Sequence, residues 1–172
     1  MVESKVELKH RRVVTDAGPL IAFARMNLLV LLPEMFGTLI VPEAVLNECL
    51  HVPTRPDAML IQQAVDAGLL DIHLDQTVNT EDWAPALGAG ERAAICLAQA
   101  LDCPVLLDDR LARRVATSVK LKLIGTAGML VKAKQQKRIK AVAPLLHTLQ
   151  ISGYHLAPEL LEHILRLAGE QK

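Results

Sequence analysis

Acidic residues end two short apolar runs of this chain, at positions where a folded sheet would bring them together. Asp16 follows residues 13–15, and the pair Asp108-Asp109 follows residues 104–107. The carboxyl ends of parallel strands converge on one crevice, where such folds usually bind their ligands. Carboxylates gathered there repel one another and are costly to desolvate unless a cation neutralises them. The pattern therefore predicts a divalent-metal site.

Two glutamates on predicted helices could complete such a site. Glu91 opens one helix, where its charge also suits the helix dipole. Glu43 and Glu48 share another helix at a spacing of five residues, so only one of them would face the crevice. The local pattern does not choose between these two. For Asp16 and Asp109 a purely structural alternative stays open, because each could cap the helix that follows it.

Basic residues gather in one part of a chain whose formal net charge is zero. Between residues 110 and 140 there are ten of them and no acid. Such segregation suits a polyanion, although the same residues could simply form solvated helix faces. Three of them share one side of a predicted helix. These three are Arg110, Arg113 and Arg114.

The composition indicates one domain with an aliphatic core. Hydrophobic residues make up 51% of the 172 residues, but only four are aromatic. No apolar run approaches the roughly 20 residues that span a bilayer, and the charged N-terminus does not resemble a signal peptide. Three cysteines without metal-ligand spacing are typical of buried thiols in a reducing compartment. We expect a cytoplasmic protein that does not bind membranes.

Strand-like and helix-like segments alternate along the chain, which predicts a parallel sheet covered on both faces. The predicted strands are residues 11–16, 38–41, 70–74, 105–107 and 121–124. The predicted helices are residues 20–32, 43–50, 57–68, 90–101, 110–118, 125–137, 143–151 and 158–167. Residues 77–89 are predicted to form a surface loop.

Five segments, taken in order, resemble the PIN-domain family. The chain is most similar to the PIN-like proteins of bacteria and archaea that are related to VapC toxins. The resemblance covers residues 13–131, and together its segments are fairly specific. The matching segments are residues 13–20, 41–48, 90–95, 106–114 and 123–126.

For the fold, the resemblance implies a three-layer α/β/α sandwich with a central parallel sheet and added C-terminal helices. We expect a polar arm at residues 1–10, a nuclease domain at 11–140, and a helical extension at 141–172 that packs on the same domain.

For activity, the resemblance implies a Mg²⁺- or Mn²⁺-dependent endoribonuclease that hydrolyses phosphodiester bonds in single-stranded RNA. It selects Glu48 over Glu43. The implied catalytic acids are Asp16, Glu48, Glu91 and Asp109, and the implied metal ligands are these four and Asp108. The expected substrate contacts are Thr15, Arg110, Arg113, Arg114 and Thr126.

Two positions depart from the family pattern. Many members carry Asp where this chain has Glu91, and a Thr or Ser is more usual where it has Leu107. The first departure lengthens the reach of that carboxylate by one methylene group. Both bear on the number of metal ions and the catalytic rate more than on the fold.

The resemblance also implies partners and leaves two rival functions open. A toxin role predicts an antitoxin protein whose peptide occupies the crevice, and the helices at 20–32 and 158–167 could supply a homodimer interface. One rival is a non-catalytic protein that binds RNA or a partner. The other is a small-molecule enzyme or nucleotide binder that uses Gly125 and Thr126.

Overall fold

The strands are short and apolar, and all five lie in one parallel sheet. A computed structural model describes residues 12–77, residue 83 and residues 85–171; the predicted arm at 1–10 and part of the predicted loop at 77–89 lie outside the described residues. The five predicted strands are confirmed, within two residues at each end. They are β1 (Arg12–Thr15), β2 (Thr38–Pro42), β3 (Asp71–His73), β4 (Val105–Leu106) and β5 (Leu123–Ile124).

The first strand of the chain, β1, is the central strand of the sheet. The order is β3-β2-β1-β4-β5, and every neighbouring pair is parallel. Val13 and Val14 of β1 are fully buried, as expected for a strand covered on both faces. The chain moves outward from β1 to β3 and then returns to β4 on the other side of β1. This reversal makes a switch point between β1 and β4, where ligands bind in such sheets.

Helices cover the sheet and form the outer layers of an α/β/α sandwich. Helix α1 contacts α4, α7 and α8, while α5 contacts α3, α6 and the strands β1, β2 and β4. The helices are α1 (Ala17–Arg25), α2 (Leu31–Phe36), α3 (Glu43–Cys49), α4 (Pro56–Asp66), α5 (Ala89–Leu101), α6 (Arg110–Ser118), α7 (Thr126–Gln135), α8 (Ala143–Ile151) and α9 (Pro158–Leu167). The fold expected from the sequence is confirmed.

The predicted single helix at residues 20–32 is wrong. The chain forms α1 and α2 instead, and Asn27 lies between them in the left-handed region with φ of 57°. Asparagine tolerates that conformation, which apolar periodicity does not register. Pro33 lies in the first turn of α2, where its missing N–H has no helical partner to lose. Leu20 and Leu32 are buried in the core and so are not available for a dimer interface.

Polar contacts tie the C-terminal helices to the sheet layers. Glu170 accepts hydrogen bonds from the backbone N–H groups of Val142 (2.6 Å) and Ala143 (2.8 Å) and pairs with Lys134 at 2.7 Å. Helix α9 contacts α7, and α8 contacts α1. Within the described ranges, no helix is both long and apolar enough to cross a membrane.

Candidate active site

Asp16 occupies the end of the central strand, at the switch point of the sheet. Its backbone N–H donates to Leu106 of β4 at 3.0 Å, which fixes its place between β1 and β4. The residue is only 6% exposed, and its Oδ1 atom is buried without a hydrogen-bond partner among the described residues. Its side chain makes no capping hydrogen bond to α1. A buried carboxylate oxygen with no donor is costly, and a cation would satisfy it.

Gly90 leaves the space in which a second carboxylate approaches Asp16. A Cβ atom at Gly90 would lie 2.5 Å from Glu48 Oε2 and 3.6 Å from Asp16 Oδ1. Both oxygens therefore face the same few ångströms of space, beside the first turn of α5. Glu43 and Glu48 are both exposed residues of α3, and it is the charge of Glu48 that acts on Asp16. Of the two glutamates that the residue pattern left open, the fold brings Glu48 to Asp16.

Burial and neighbouring negative charge raise the pKa of both carboxylates of this pair. Burial raises the pKa of Asp16 to about 7, and the charges of Glu48 and Glu91 add to the shift, while the Ala17 and Gly18 N–H groups offset part of it. Burial and Glu91 also raise the pKa of Glu48. A divalent ion between these carboxylates would favour their charged forms and so oppose both shifts.

Glu91 and Asp109 stand at helix N-termini, and each has one oxygen engaged by backbone. Glu91 Oε2 accepts from the Gly88 N–H at 2.7 Å, which anchors the start of α5. Asp109 Oδ1 accepts from Leu111 N–H at 2.7 Å and from Ala112 N–H at 2.9 Å, so this residue does cap α6. The second oxygen of each carboxylate accepts no hydrogen bond from the described residues. Each side chain can therefore cap a helix and still offer an oxygen to a cation.

Asp108 differs from the other acids because both of its oxygens are satisfied. Its Oδ1 accepts from the Thr126 N–H at 2.9 Å, and its Oδ2 accepts from the Thr126 hydroxyl at 2.6 Å and from the Tyr154 hydroxyl. Burial and the charge of Asp108 raise the pKa of Tyr154, which keeps the phenol protonated as a donor. Tyr154 was not predicted, since it lies 46 residues from Asp108 in the sequence and no local motif marks it.

The expected substrate residues divide into buried and exposed ones. Thr15 is fully buried and donates to the carbonyl of Asp16 at 3.0 Å, while Thr126 is 2% exposed. Arg113 is partly buried and donates to the Leu107 carbonyl at 2.8 Å. Arg110 and Arg114 are exposed on α6, which begins directly after Asp109, and they make no hydrogen bond or ion pair with the described residues.

Some of the basic residues between 110 and 140 are used within the fold. Lys134 pairs with Glu170 at 2.7 Å, and Arg138 pairs with Glu34 at 3.3 Å. These two side chains are therefore not free cations. The exposed arginines of α6 are the ones nearest the acids in the sequence.

The site fits a divalent cation, although the carboxylates do not close around one. Within the residues that the structure describes, no group of three or more His, Cys, Asp or Glu side chains has a metal-binding arrangement. The reason is visible in the contacts, because Glu91 and Asp109 turn one oxygen toward backbone N–H groups. To bind an ion together with Asp16 Oδ1, the side chains of Glu48, Glu91 and Asp109 would have to turn toward it. Oxygen donors of this kind suit Mg²⁺ or Mn²⁺.

Comparison with known proteins identifies the family. The family model DUF3368, described as a PIN domain, matches residues 12–170. Among solved structures, the chain is similar to a domain of a functionally unknown protein from Methanocaldococcus jannaschii DSM 2661, at 17% identity and a TM-score of 0.43, over 67% of this chain and 90% of that one. Among curated proteins, none matches. The acids at the strand ends, the parallel sheet and the extent of the family match agree: the chain belongs to the PIN-domain family, whose fold is a nuclease fold.

Proposed function

We propose that this protein is a divalent-metal-dependent endoribonuclease that hydrolyses phosphodiester bonds in single-stranded RNA. One observation carries the proposal. Asp16 Oδ1 is buried at the switch point without a hydrogen-bond donor, and it faces Glu48 across the space left by Gly90. Burying a carboxylate oxygen without a donor costs free energy that an apolar residue at this position would not cost. A bound cation would recover that free energy.

Four carboxylates would hold the metal in this proposal. When bound, Mg²⁺ or Mn²⁺ lowers the pKa of a coordinated water and stabilises charge on the attacked phosphate. Asp16 supplies the buried oxygen, and Glu48 faces it. Glu91 and Asp109 supply the oxygens that their helix caps leave free. These hydrogen bonds fix the starts of α5 and α6, and the side chains of Glu91 and Asp109 would turn toward Asp16 to bind the ion.

The proposed substrate follows from charge. Arg110 and Arg114 are exposed in the first and second turns of α6, which starts directly after Asp109. Guanidinium groups at this position can hold phosphates on either side of the scissile bond. The chain has four aromatic residues, so extensive base stacking is not expected. The arrangement favours recognition of the RNA backbone over recognition of bases.

The test is cleavage of a mixed single-stranded RNA pool by the purified protein with Mg²⁺, with Mn²⁺ or with EDTA. Asp16→Asn and Asp109→Asn are the site variants. Asp102→Asn is the matched control, since Asp102 stands at the opposite end of β4 in a left-handed conformation that asparagine tolerates. We expect cleavage that requires metal, disappears in both site variants and persists in the control.

A second candidate function is RNA or partner binding without turnover. The observation that favours it is that Glu91 and Asp109 already serve as helix caps, which gives both acids a structural purpose. In this case RNA binding would survive EDTA, and no metal would produce cleavage. Equal RNA binding by wild type and Asp16→Asn, with no cleavage by either, would favour the second candidate.

A toxin role is a further part of the proposal. It predicts growth arrest when the protein is expressed, relief of that arrest by Asp109→Asn, and rescue by a co-expressed antitoxin protein. The proposed homodimer has one candidate surface on α9, where Leu160 and Leu167 are 45% and 54% exposed. A monomeric mass in solution at micromolar concentration would contradict the dimer, and equal growth of both strains would contradict the toxin.

A further inference from the structure

Asp108 has a complete set of hydrogen-bond donors within the fold. The backbone N–H and the hydroxyl of Thr126 and the hydroxyl of Tyr154 together occupy both of its oxygens. A cationic group also lies nearby: a Cβ atom at Gly125 would lie 3.5 Å from Asp108 Oδ1 and 3.2 Å from Arg113 Nη1. A carboxylate with three donors and a neighbouring guanidinium has little to gain from a metal ion.

The three donors come from two separate parts of the chain. Thr126 starts α7, 18 residues after Asp108, and Tyr154 follows α8 after a turn at Gly153 with φ of 89°. The Tyr154 backbone N–H donates to the Leu149 carbonyl at 2.9 Å, which fixes the base of its side chain. Asp108 therefore joins the end of β4 to the start of α7 and to the C-terminal helices.

The next residue along the chain, Asp109, faces the opposite requirement. Its Oδ1 caps α6, and its second oxygen must reach the crevice if it is to hold a metal. The backbone between β4 and α6 is short, so the position of Asp109 depends on how firmly Asp108 is held.

We propose that Asp108 is an anchor rather than a metal ligand, and that the Tyr154 hydroxyl, acting through Asp108, positions Asp109 at the crevice. This inference rests on the proposed function and refines it. It makes Tyr154 a positioning residue of the nuclease site, contributed by the C-terminal segment. The metal set then contains four carboxylates, and Asp108 is not one of them.

The first test uses the fact that the chain contains a single tyrosine. Protein labelled with isotopes in its tyrosine ring gives one ring signal by NMR, which reports on the hydroxyl contact of Tyr154. We expect Asp108→Asn to move this signal and Asp102→Asn to leave it in place. Saturating Mg²⁺, which is diamagnetic, should move the wild-type signal by much less than Asp108→Asn does.

Direct Mg²⁺ binding, measured by calorimetry, separates ligands from the anchor. We expect Asp16→Asn to weaken binding by at least about 100-fold and Asp108→Asn, which acts only through Asp109, to weaken it by at most about 10-fold. The inference is overturned if Asp108→Asn weakens binding as much as Asp16→Asn, or if Mg²⁺ moves the tyrosine signal as far as Asp108→Asn does. Mg²⁺ binding without RNA cleavage contradicts the proposed function alone, whereas no Mg²⁺ binding at all contradicts both.

The second test asks whether Tyr154 acts through Asp108. Tyr154→Phe removes only the hydroxyl, and we expect kcat for RNA cleavage to fall about 10-fold while KM stays within about 2-fold. The double variant Tyr154→Phe with Asp108→Asn should be no slower than the slower single variant. Losses that multiply, or a Tyr154→Phe loss explained wholly by a smaller folded fraction in urea titrations, would contradict a positioning role.

Discussion

The ends of two neighbouring parallel strands, β1 and β4, carry acids that the fold treats in opposite ways. Asp16, after β1, is 6% exposed and has an Oδ1 atom that no described residue satisfies. Asp108, after β4, receives three hydrogen bonds from Thr126 and Tyr154. Both follow short apolar strands, so local sequence gives no reason for the difference.

The contrast separates two uses of a carboxylate at a sheet edge. A carboxylate with its donors supplied by the protein stabilises the turn in which it lies, and it acts as structure. A buried carboxylate oxygen without a donor lowers the stability of the folded protein, and a bound ligand of opposite charge restores that stability. In a pair of acids at one edge, the unsatisfied one therefore marks the binding site.

The largest effect that we expect is a difference in the rate of RNA cleavage between variants of Asp16 and Asp108. Asp16→Asn should lower the metal-dependent rate of RNA cleavage by at least about 100-fold, because it removes a proposed metal ligand. Asp108→Asn should lower it only about 10-fold, because it loosens an anchor. Single-turnover cleavage with Mn²⁺ measures both, with Asp102→Asn as the control. Equal losses of cleavage rate in Asp16→Asn and Asp108→Asn would contradict the distinction between a metal ligand and an anchor.

The second prediction concerns stability against pH in the absence of metal. The pKa of Asp16 in the folded state is about 7, whereas its ordinary value is 3.8, so the stability contributed by this group is lost as pH rises between these values. The loss is on the order of a few kcal/mol. Urea unfolding in EDTA at several pH values measures it as the difference between wild type and Asp16→Asn, in which other groups cancel.

The difference in unfolding free energy between wild type and Asp16→Asn should shrink when Mg²⁺ is added at high pH. A ligand that binds only the folded state of the wild type stabilises that state. A wild-type curve parallel to that of Asp16→Asn across this range would contradict the raised pKa.

The third prediction tests the space between Asp16 and Glu48. In Gly90→Ala the new methyl group would lie 2.5 Å from Glu48 Oε2, so this flexible side chain must turn away. We expect Mg²⁺ affinity to fall about 10-fold, while stability changes by less than about 1 kcal/mol because alanine also favours helix. Gly128→Ala in α7 is the matched control, because its methyl group would meet no atom within 4 Å. Unchanged affinity in Gly90→Ala would contradict the proposed metal position.

The smallest effect that we expect concerns Arg110 and Arg114, the exposed arginines of α6. Replacing Arg110 and Arg114 together by glutamine should raise KM for RNA several-fold and lower the salt slope of binding by roughly 0.7 for each lost phosphate contact. Lys122→Gln is the control, because Lys122 is exposed and precedes β5, at the amino end of the strands and so away from the acids. Equal salt slopes for the double variant and wild type would show that these arginines do not contact phosphate.

Much of the fold could be predicted from the sequence because its signals are local. Apolar β-branched runs marked the strands, and their alternation with helices predicted a parallel sheet. The prediction failed at residues 20–32, where Asn27 in the left-handed region divides one apolar stretch into α1 and α2. A break of that kind depends on one backbone angle, which hydrophobic periodicity does not contain.

The sequence pointed to the acids of the candidate site without placing them relative to one another. The residue pattern alone left Glu43 and Glu48 as alternatives, and Glu48 is the one that Gly90 admits beside Asp16. Tyr154 carried no signal at all, because its contact with Asp108 spans 46 residues. Such contacts exist only once the C-terminal helices pack against α1 and α7.

The sequence by itself determined which acids could meet at the sheet edge, because strand ends follow from local hydrophobic runs and parallel strands share one edge. Only the tertiary structure decided which of them is left unsatisfied. Donors for a carboxylate come from whatever segment packs beside it: Thr126 and Tyr154 reach Asp108, and no described donor reaches Asp16 Oδ1. Hydrogen bonds are short-range in space and unlimited in sequence separation, so the difference between anchor and binding site arises only on folding.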